Sequence, residues 1–178
     1  FNRSIDHAFN VYTGSATPSL FSFIFSITNK CGFQCAHCVE WDRLNAVDKL
    51  DGDSLIRIIQ RFHELGVCQV HLSGGEPLNR FNDILRILDS FPSGIDFWVF
   101  SNGYNLDDQK ASVLRKHGLT GVVISLDHYD PANHDAFRGV PGSFQRAINA
   151  AKAARYHGLL VAFSCCATNQ FISTGNLS

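Results

Sequence analysis

Short apolar runs of strand type alternate with amphipathic helical patterns through most of this 178-residue chain, and no other feature restricts its fold as tightly. The runs cover roughly 20–28, 67–72, 95–100, 121–126 and 159–166. In the first, Phe21, Phe23, Phe25 and Ile27 share one face and Ile24 helps to fill the other. Most are continuous apolar stretches bounded by Gly or polar residues, the pattern of parallel strands buried on both sides. Between them, Leu55, Ile58, Ile59, Phe62 and Leu65 recur at helical spacing, with Asp51 or Asp53 as N-cap and Gly66 just past the end. Phe81, Ile84, Leu85 and Leu88 form a second stripe, and a weaker third runs over about 107–117 and stops at Gly118. Ser143 is the expected cap of a fourth helix, with Phe144, Ala147, Ile148 and Ala151 on its inner face and Gly158 at its end. Four βα units and a fifth strand predict an α/β architecture with parallel strands and right-handed crossovers.

Ligands in such folds bind at the carboxyl ends of the strands. The residues just past each run are therefore informative. Cys31, Cys35 and Cys38 come after the first, and Gly74, Gly75, Glu76 and Pro77 after the second. Ser101, Asn102 and Gly103 come after the third, Ser125 and Asp127 end the fourth, and Thr168 and Asn169 lie past the fifth. Every run ends in polar or metal-binding residues, which predicts one rim and one site.

The first of these endings is Cys-x-x-x-Cys-x-x-Cys, three thiols in one short loop. A structural zinc site wants four ligands and an iron–sulfur cubane normally takes four Cys, so three leave one metal position open for chemistry. His37, His71, Cys68, Cys165 and Cys166 are the candidates for a fourth ligand if the site is a zinc staple. A redox pair of Cys35 and Cys38 is a further reading, but it has no use for Cys31. The six cysteines are concentrated rather than scattered, and Cys165 and Cys166 are strand neighbours pointing to opposite faces, so a reducing cytoplasm fits better than a secreted disulfide framework.

CGFQCAHC at 31–38, read with GGEP at 74–77, resembles the radical S-adenosylmethionine (SAM) superfamily. The resemblance covers about 20–170. It implies a parallel-stranded partial (β/α)6 TIM-like barrel, here truncated after about the fifth strand. It also implies a [4Fe–4S] cluster on Cys31, Cys35 and Cys38, with SAM chelating the fourth iron and cleaved reductively to a 5′-deoxyadenosyl radical. By the same resemblance Gly74, Gly75 and Glu76 meet the amino group of SAM, and Ser125 bonds its ribose or carboxylate. Ser101, Asn102 and Asp127 stand at the family's third and fourth strand ends, although Asn102-Gly103 equally reads as a turn. HDAFRGVPGSF at 134–144 is similar to the segment after the fourth strand in peptide-modifying and cofactor-building members, where Arg138 would pair with the SAM carboxylate. Asn169 stands where a polar residue contacts SAM, and His37 where an aromatic ring packs on adenine. The implied partners are a small-molecule or peptide substrate and a low-potential electron donor such as flavodoxin or ferredoxin. A lean towards members with C-terminal auxiliary clusters goes with the same motifs.

The expected organisation is an N-terminal extension over 1–19 and an incomplete core over 20–178, lacking a sixth βα unit and any auxiliary-cluster domain. The start at Phe1 and the absence of Met support reading a fragment. With 45% apolar residues and a formal charge of −1, the chain is an ordered globular one with no basic stripe for nucleic acid and no apolar run long enough for a bilayer. His63, His117 and His157 read as helix-end residues favoured by the dipole. His71 reads as a satisfied core histidine, Cys68, Cys165 and Cys166 as small buried hydrophobes, and Trp41 and Trp98 as packing residues. Two readings of another class remain beside the resemblance: a non-catalytic metal staple, and a plain α/β barrel enzyme using Asp127 and Glu76 as acid and base.

Overall fold

Five parallel strands form one sheet in the order of the chain: β1 Ser22–Thr28, β2 Gln69–Gly74, β3 Asp96–Ser101, β4 Gly121–Ser125 and β5 Leu160–Ser164. This computed structural model describes residues 9, 10, 12–14 and 20–173, so the extension expected over 1–19 lies largely outside the described residues. Parallel neighbours need a crossover, and helices supply each one. They are α1 Gly52–Glu64, α2 Phe81–Ser90, α3 Asp108–Lys116, and the pair α4 Pro131–Arg138 and α5 Ser143–Tyr156. A short α6, Asn169–Ser173, comes after β5.

The helix boundaries reflect local chemistry. Asp51 caps α1 by accepting from the Ser54 N–H at 2.8 Å, and Gly66 lies past its end with φ +101°. Asp107 and Asp130 cap α3 and α4 through the N–H groups of Lys110 and Asn133. Ser143, expected as a cap, is instead the first residue of α5, and the cap position is Gly142. The Asp135 carboxylate does the capping from α4, accepting from Gly142 N, Phe144 N and Ser143 Oγ. A side chain eight residues upstream can serve here only because α4 exists, and the strand-and-helix pattern carries no sign of it.

The core lies between the sheet and its helices. Val70, Leu72, Phe97, Val99, Val122 and Ile124 point into it from the central strands and meet Leu55, Ile59, Ile84, Ile87, Leu114 and Ala147. The opposite face departs from expectation. Burial alternates residue by residue along β2 and β3, so these strands are covered on one side and only half-buried on the other. Ile24, expected to fill that face, is 67% exposed. β5 is the edge strand of the described sheet, and Phe163 there is 53% exposed.

Candidate active site

The cysteine loop leaves β1 and is held by residues just downstream of it. Asp48 accepts from Thr28 Oγ1 and from Asn29 N, both at 2.7 Å. Asn45, the only described non-glycine residue with positive φ, accepts from Cys31 N at 3.1 Å through its side chain. Inside the loop, Cys38 N donates to Cys35 O at 3.0 Å. Phe33 is buried and meets Tyr104 edge-on, which anchors the apolar end of the loop. Neither Asn45 nor Asp48 stands out in the sequence, since their role depends on a fold-back that leaves no periodic signal.

Gly74 and Gly75 end β2 against the base of this loop. Gly75 N donates to Thr28 O at 2.7 Å and Glu76 N to Lys30 O at 2.8 Å. A Cβ on Gly74, at φ +128°, would stand 2.3 Å from Thr28 O, and one on Gly75 would stand 2.5 Å from Lys30 O. The glycines thus let one backbone seat on another, in addition to lining the cleft. The expectation for Glu76 changes more. Its side chain is turned behind the rim and 1% exposed, accepting from Leu78 N, Ser101 Oγ and Asn102 N at 2.9–3.1 Å. Burial pushes its carboxyl pKa up, against the pull of those three donors. Glu76 therefore ties the end of β2 to the end of β3, and Ser101 belongs to the same brace.

One cleft at the carboxyl ends of the strands is lined by Cys31, Cys35, Cys38, His37, Gly74 and Gly75, with Asn102, Ser125, Asp127 and Arg138 on its other walls. Asn102 is both turn and wall. Its Oδ1 accepts from Tyr104 N, and its Nδ2 lies 4.0 Å from Cys31 Sγ. Arg138 ends α4 and is not a solvated loop residue. Its Nε donates to Asp127 Oδ2 at 2.5 Å, and its Nη1 reaches Cys35 Sγ at 3.9 Å. Asp127 is almost fully buried, its other oxygen accepting from Cys166 N at 2.8 Å. His134 Nδ1 accepts from Asp127 N, so α4 grips the β4 end at two points. His37 stacks on Phe137 with ring centroids 4.1 Å apart and planes 9° apart. Burial pushes the His37 pKa down.

Asn169 is not brought into the site: it is exposed and outside the cleft lining. Cys165 and Cys166 are not small buried hydrophobes. They are exposed, and they line the cleft just past β5. Cys68 is half-buried beside Phe21 O, away from the cleft. Trp41, expected to pack, is 53% exposed. His71 is not a satisfied core histidine: its Nδ1 is buried with no partner among the described residues.

The donor set discriminates among metals. Among the described residues, no three His, Cys, Asp or Glu side chains converge as a single ion would require. Three thiols around one cleft would leave one iron of a cubane open, whereas a structural zinc site wants a fourth protein ligand. Burial pushes the Cys31 and Cys35 thiols up; the Phe33 N–H opposes this at Cys31 and the Arg138 cation at Cys35. Bound metal is the natural stabiliser of such thiolates. The acid–base alternative fits poorly, because Glu76 is sealed behind the rim and Asp127 is held by Arg138.

Residues 25–169 match the profile described as the radical SAM superfamily. The sporulation killing factor maturation protein SkfB of Bacillus subtilis is 29% identical over 133 residues, covering 74% of this chain and 32% of SkfB. A probable GTP 3′,8-cyclase of Archaeoglobus fulgidus is 31% identical over 134 residues, covering 75% of this chain and 44% of the relative. Streptococcus suis SuiB bound to S-adenosylmethionine superposes with a TM-score of 0.70 at 18% identity, over 97% of this chain and 41% of SuiB. Histidine-tagged anSMEcpe with bound AdoMet gives 0.71 at 19% identity, over 89% of this chain and 46% of that protein. The chain thus spans less than half the length of the proteins it matches, and at these identities the solved structures speak for the fold, a TIM-like α/β barrel.

Proposed function

This chain belongs to the radical SAM superfamily, whose members use a [4Fe–4S] cluster and S-adenosylmethionine, and from that premise we propose that it is the catalytic core of a SAM-cleaving enzyme of peptide or cofactor maturation. The observation that carries the proposal is the single cleft lined by all three loop cysteines together with Gly74, Gly75, Ser125 and Arg138. A cluster held there would supply the electron for reductive cleavage of SAM to methionine and a hydrogen-abstracting 5′-deoxyadenosyl radical. Cys31, Cys35 and Cys38 would hold the cluster. The Gly74–Gly75 backbone would face the amino group of SAM, with Glu76 acting from behind by fixing that turn. Arg138, oriented by Asp127, leaves guanidinium N–H groups for the SAM carboxylate. Ser125 would bond the ribose or carboxylate, and His37, backed by Phe137, would offer a flat face to the adenine. Maturation chemistry is favoured by the names of the relatives, a peptide maturation protein and a nucleotide cyclase. No described helix is long and apolar enough to cross a membrane. A cytoplasmic setting and a flavodoxin- or ferredoxin-type donor are part of the same proposal.

Anaerobic reconstitution with iron and sulfide, then reduction in the presence of SAM, is expected to yield 5′-deoxyadenosine detectable by mass spectrometry. The Cys35→Ala variant is expected to give none. A colourless protein that retains zinc and forms no 5′-deoxyadenosine would overturn the proposal.

A further inference from the structure

Two of the cysteine sulfurs in the cleft have a side-chain N–H directed at them from another element, and the two donors stand on different walls. Asn102 Nδ2 lies 4.0 Å from Cys31 Sγ, and Arg138 Nη1 lies 3.9 Å from Cys35 Sγ. Cys31 Sγ also accepts from Phe33 N at 3.4 Å, a bond internal to the loop.

Both side-chain donors are held in place from behind. An amide can turn either its oxygen or its NH2 group to a neighbour, and here the backbone makes the choice. Asn102 Oδ1 accepts from Tyr104 N at 2.9 Å, so the NH2 group is left for the sulfur. The Asn102 backbone is itself tied down, its N–H donating to Glu76 Oε2 at 2.9 Å. Arg138 pairs with Asp127 through Nε, and Asp127 takes a further bond from Cys166 N, so the guanidinium plane is fixed with Nη1 turned to Cys35. Neither contact with sulfur is needed for folding. The Asn102 turn closes through its oxygen, and the ion pair with Asp127 is made through Nε.

A [4Fe–4S] cluster gains one negative charge on reduction, and part of that charge resides on the thiolate sulfurs. Hydrogen bonds and positive charge at those sulfurs stabilise the reduced state more than the oxidised one, which raises the reduction potential. We propose that Asn102, through Cys31, and Arg138, through Cys35, set the reduction potential of the cluster. In this role both act through a cluster ligand and are positioning residues. The assignment rests on the radical SAM reading and deepens it, since the cluster must accept an electron before SAM can be cleaved.

The test is a redox titration of the reconstituted full-length protein, followed by electron paramagnetic resonance without SAM, so that contacts of Arg138 with that ligand do not enter. Asn102→Ser keeps an oxygen for Tyr104 N but leaves nothing to reach Cys31. Asn102→Asp keeps the oxygen and turns the donor into a charged acceptor. Arg138→Gln removes the cation. At a fixed potential the ratio of reduced to oxidised cluster is expected to fall about threefold in Asn102→Ser, further in Asn102→Asp, and about tenfold in Arg138→Gln, tenfold being about 59 mV for one electron. Direction separates tuning from damage, because water admitted by a loosened loop stabilises the more negative reduced cluster and moves the ratio upwards. If the unpaired Asp127 keeps Arg138→Gln from folding, Arg138→Lys takes its place: it keeps the charge without the second nitrogen, and a fall is again expected. A ratio unmoved or raised in any of these variants overturns the inference. A wild-type protein that forms no [4Fe–4S] cluster overturns the radical SAM reading with it, whereas a well-formed cluster with unmoved potentials in the variants overturns the tuning alone.

Discussion

Glu76 shows how a residue can belong to a site without facing it. Three donors from two strand ends meet one carboxylate that is almost wholly removed from water. Glu76→Gln keeps the shape but turns one acceptor oxygen into an amide NH2 that faces donors, which costs about 1–3 kcal/mol. The expected outcome is a lower urea midpoint together with weaker SAM binding, read by denaturation and by calorimetric titration of the same preparation. Weaker binding with unchanged stability would instead mean that the carboxylate touches the ligand. Asn45 and Asp48 act in a comparable way on the cysteine loop, fixing backbone that a short loop rich in ligands cannot fix by itself.

Among the elements, α4 carries the most consequence for its length. Its start places His134 on the Asp127 backbone, its middle places Asp135 on the cap of α5, and its end places Arg138 on Asp127 and Cys35. The His134 contact makes part of the stability pH-dependent. Burial holds its pKa below the ordinary histidine value. Well above about pH 6.5 the ring is neutral in both folded and unfolded chain, and its contribution is complete. As the pH falls below that value the unfolded chain takes up a proton that the folded chain resists, so stability declines until the folded ring titrates. His37 and His71 act in the same direction. Thermal midpoints measured from about pH 7.5 down to about pH 5.5 should fall, and His134→Gln should flatten the fall by its own share. A curve of unchanged steepness in that variant would remove His134 from the account.

At the scale of the whole molecule the two faces of the sheet have different tasks. The helix side is the core, and the opposite side is only half-buried. Ile124 is fully buried on the helix side, whereas its neighbour Val123 points into the barrel and is half-buried. Ile124→Ala is expected to cost about 2–5 kcal/mol, and Val123→Ala about 1 kcal/mol or less. Guanidinium denaturation of the two variants checks this, and equal losses would mean that the inner face is packed like the outer one.

The alternation of strands and helices, the parallel sheet and the gathering of Cys31, Cys35, Cys38, Gly74 and Gly75 at strand ends are legible in the sequence. Each rests on local periodicity or on spacing within one loop, where neighbours in the chain are neighbours in space. α4 is not legible, because eight residues that start at a proline and stop at a glycine carry too weak a stripe. The orientation of Glu76, the pairing of Arg138 with Asp127 and the exposure of Cys165 and Cys166 depend on contacts between segments far apart in the chain, as between Glu76 and Asn102 or Cys35 and Arg138. An apolar strand reads the same whether its second face is covered by helices or left half-open, since hydrophobicity reports what a residue prefers and not what stands opposite it. Only the tertiary structure shows that His71 and Trp98 are paired on that half-open face, because strand register is a relation between two strands and neither sequence contains it.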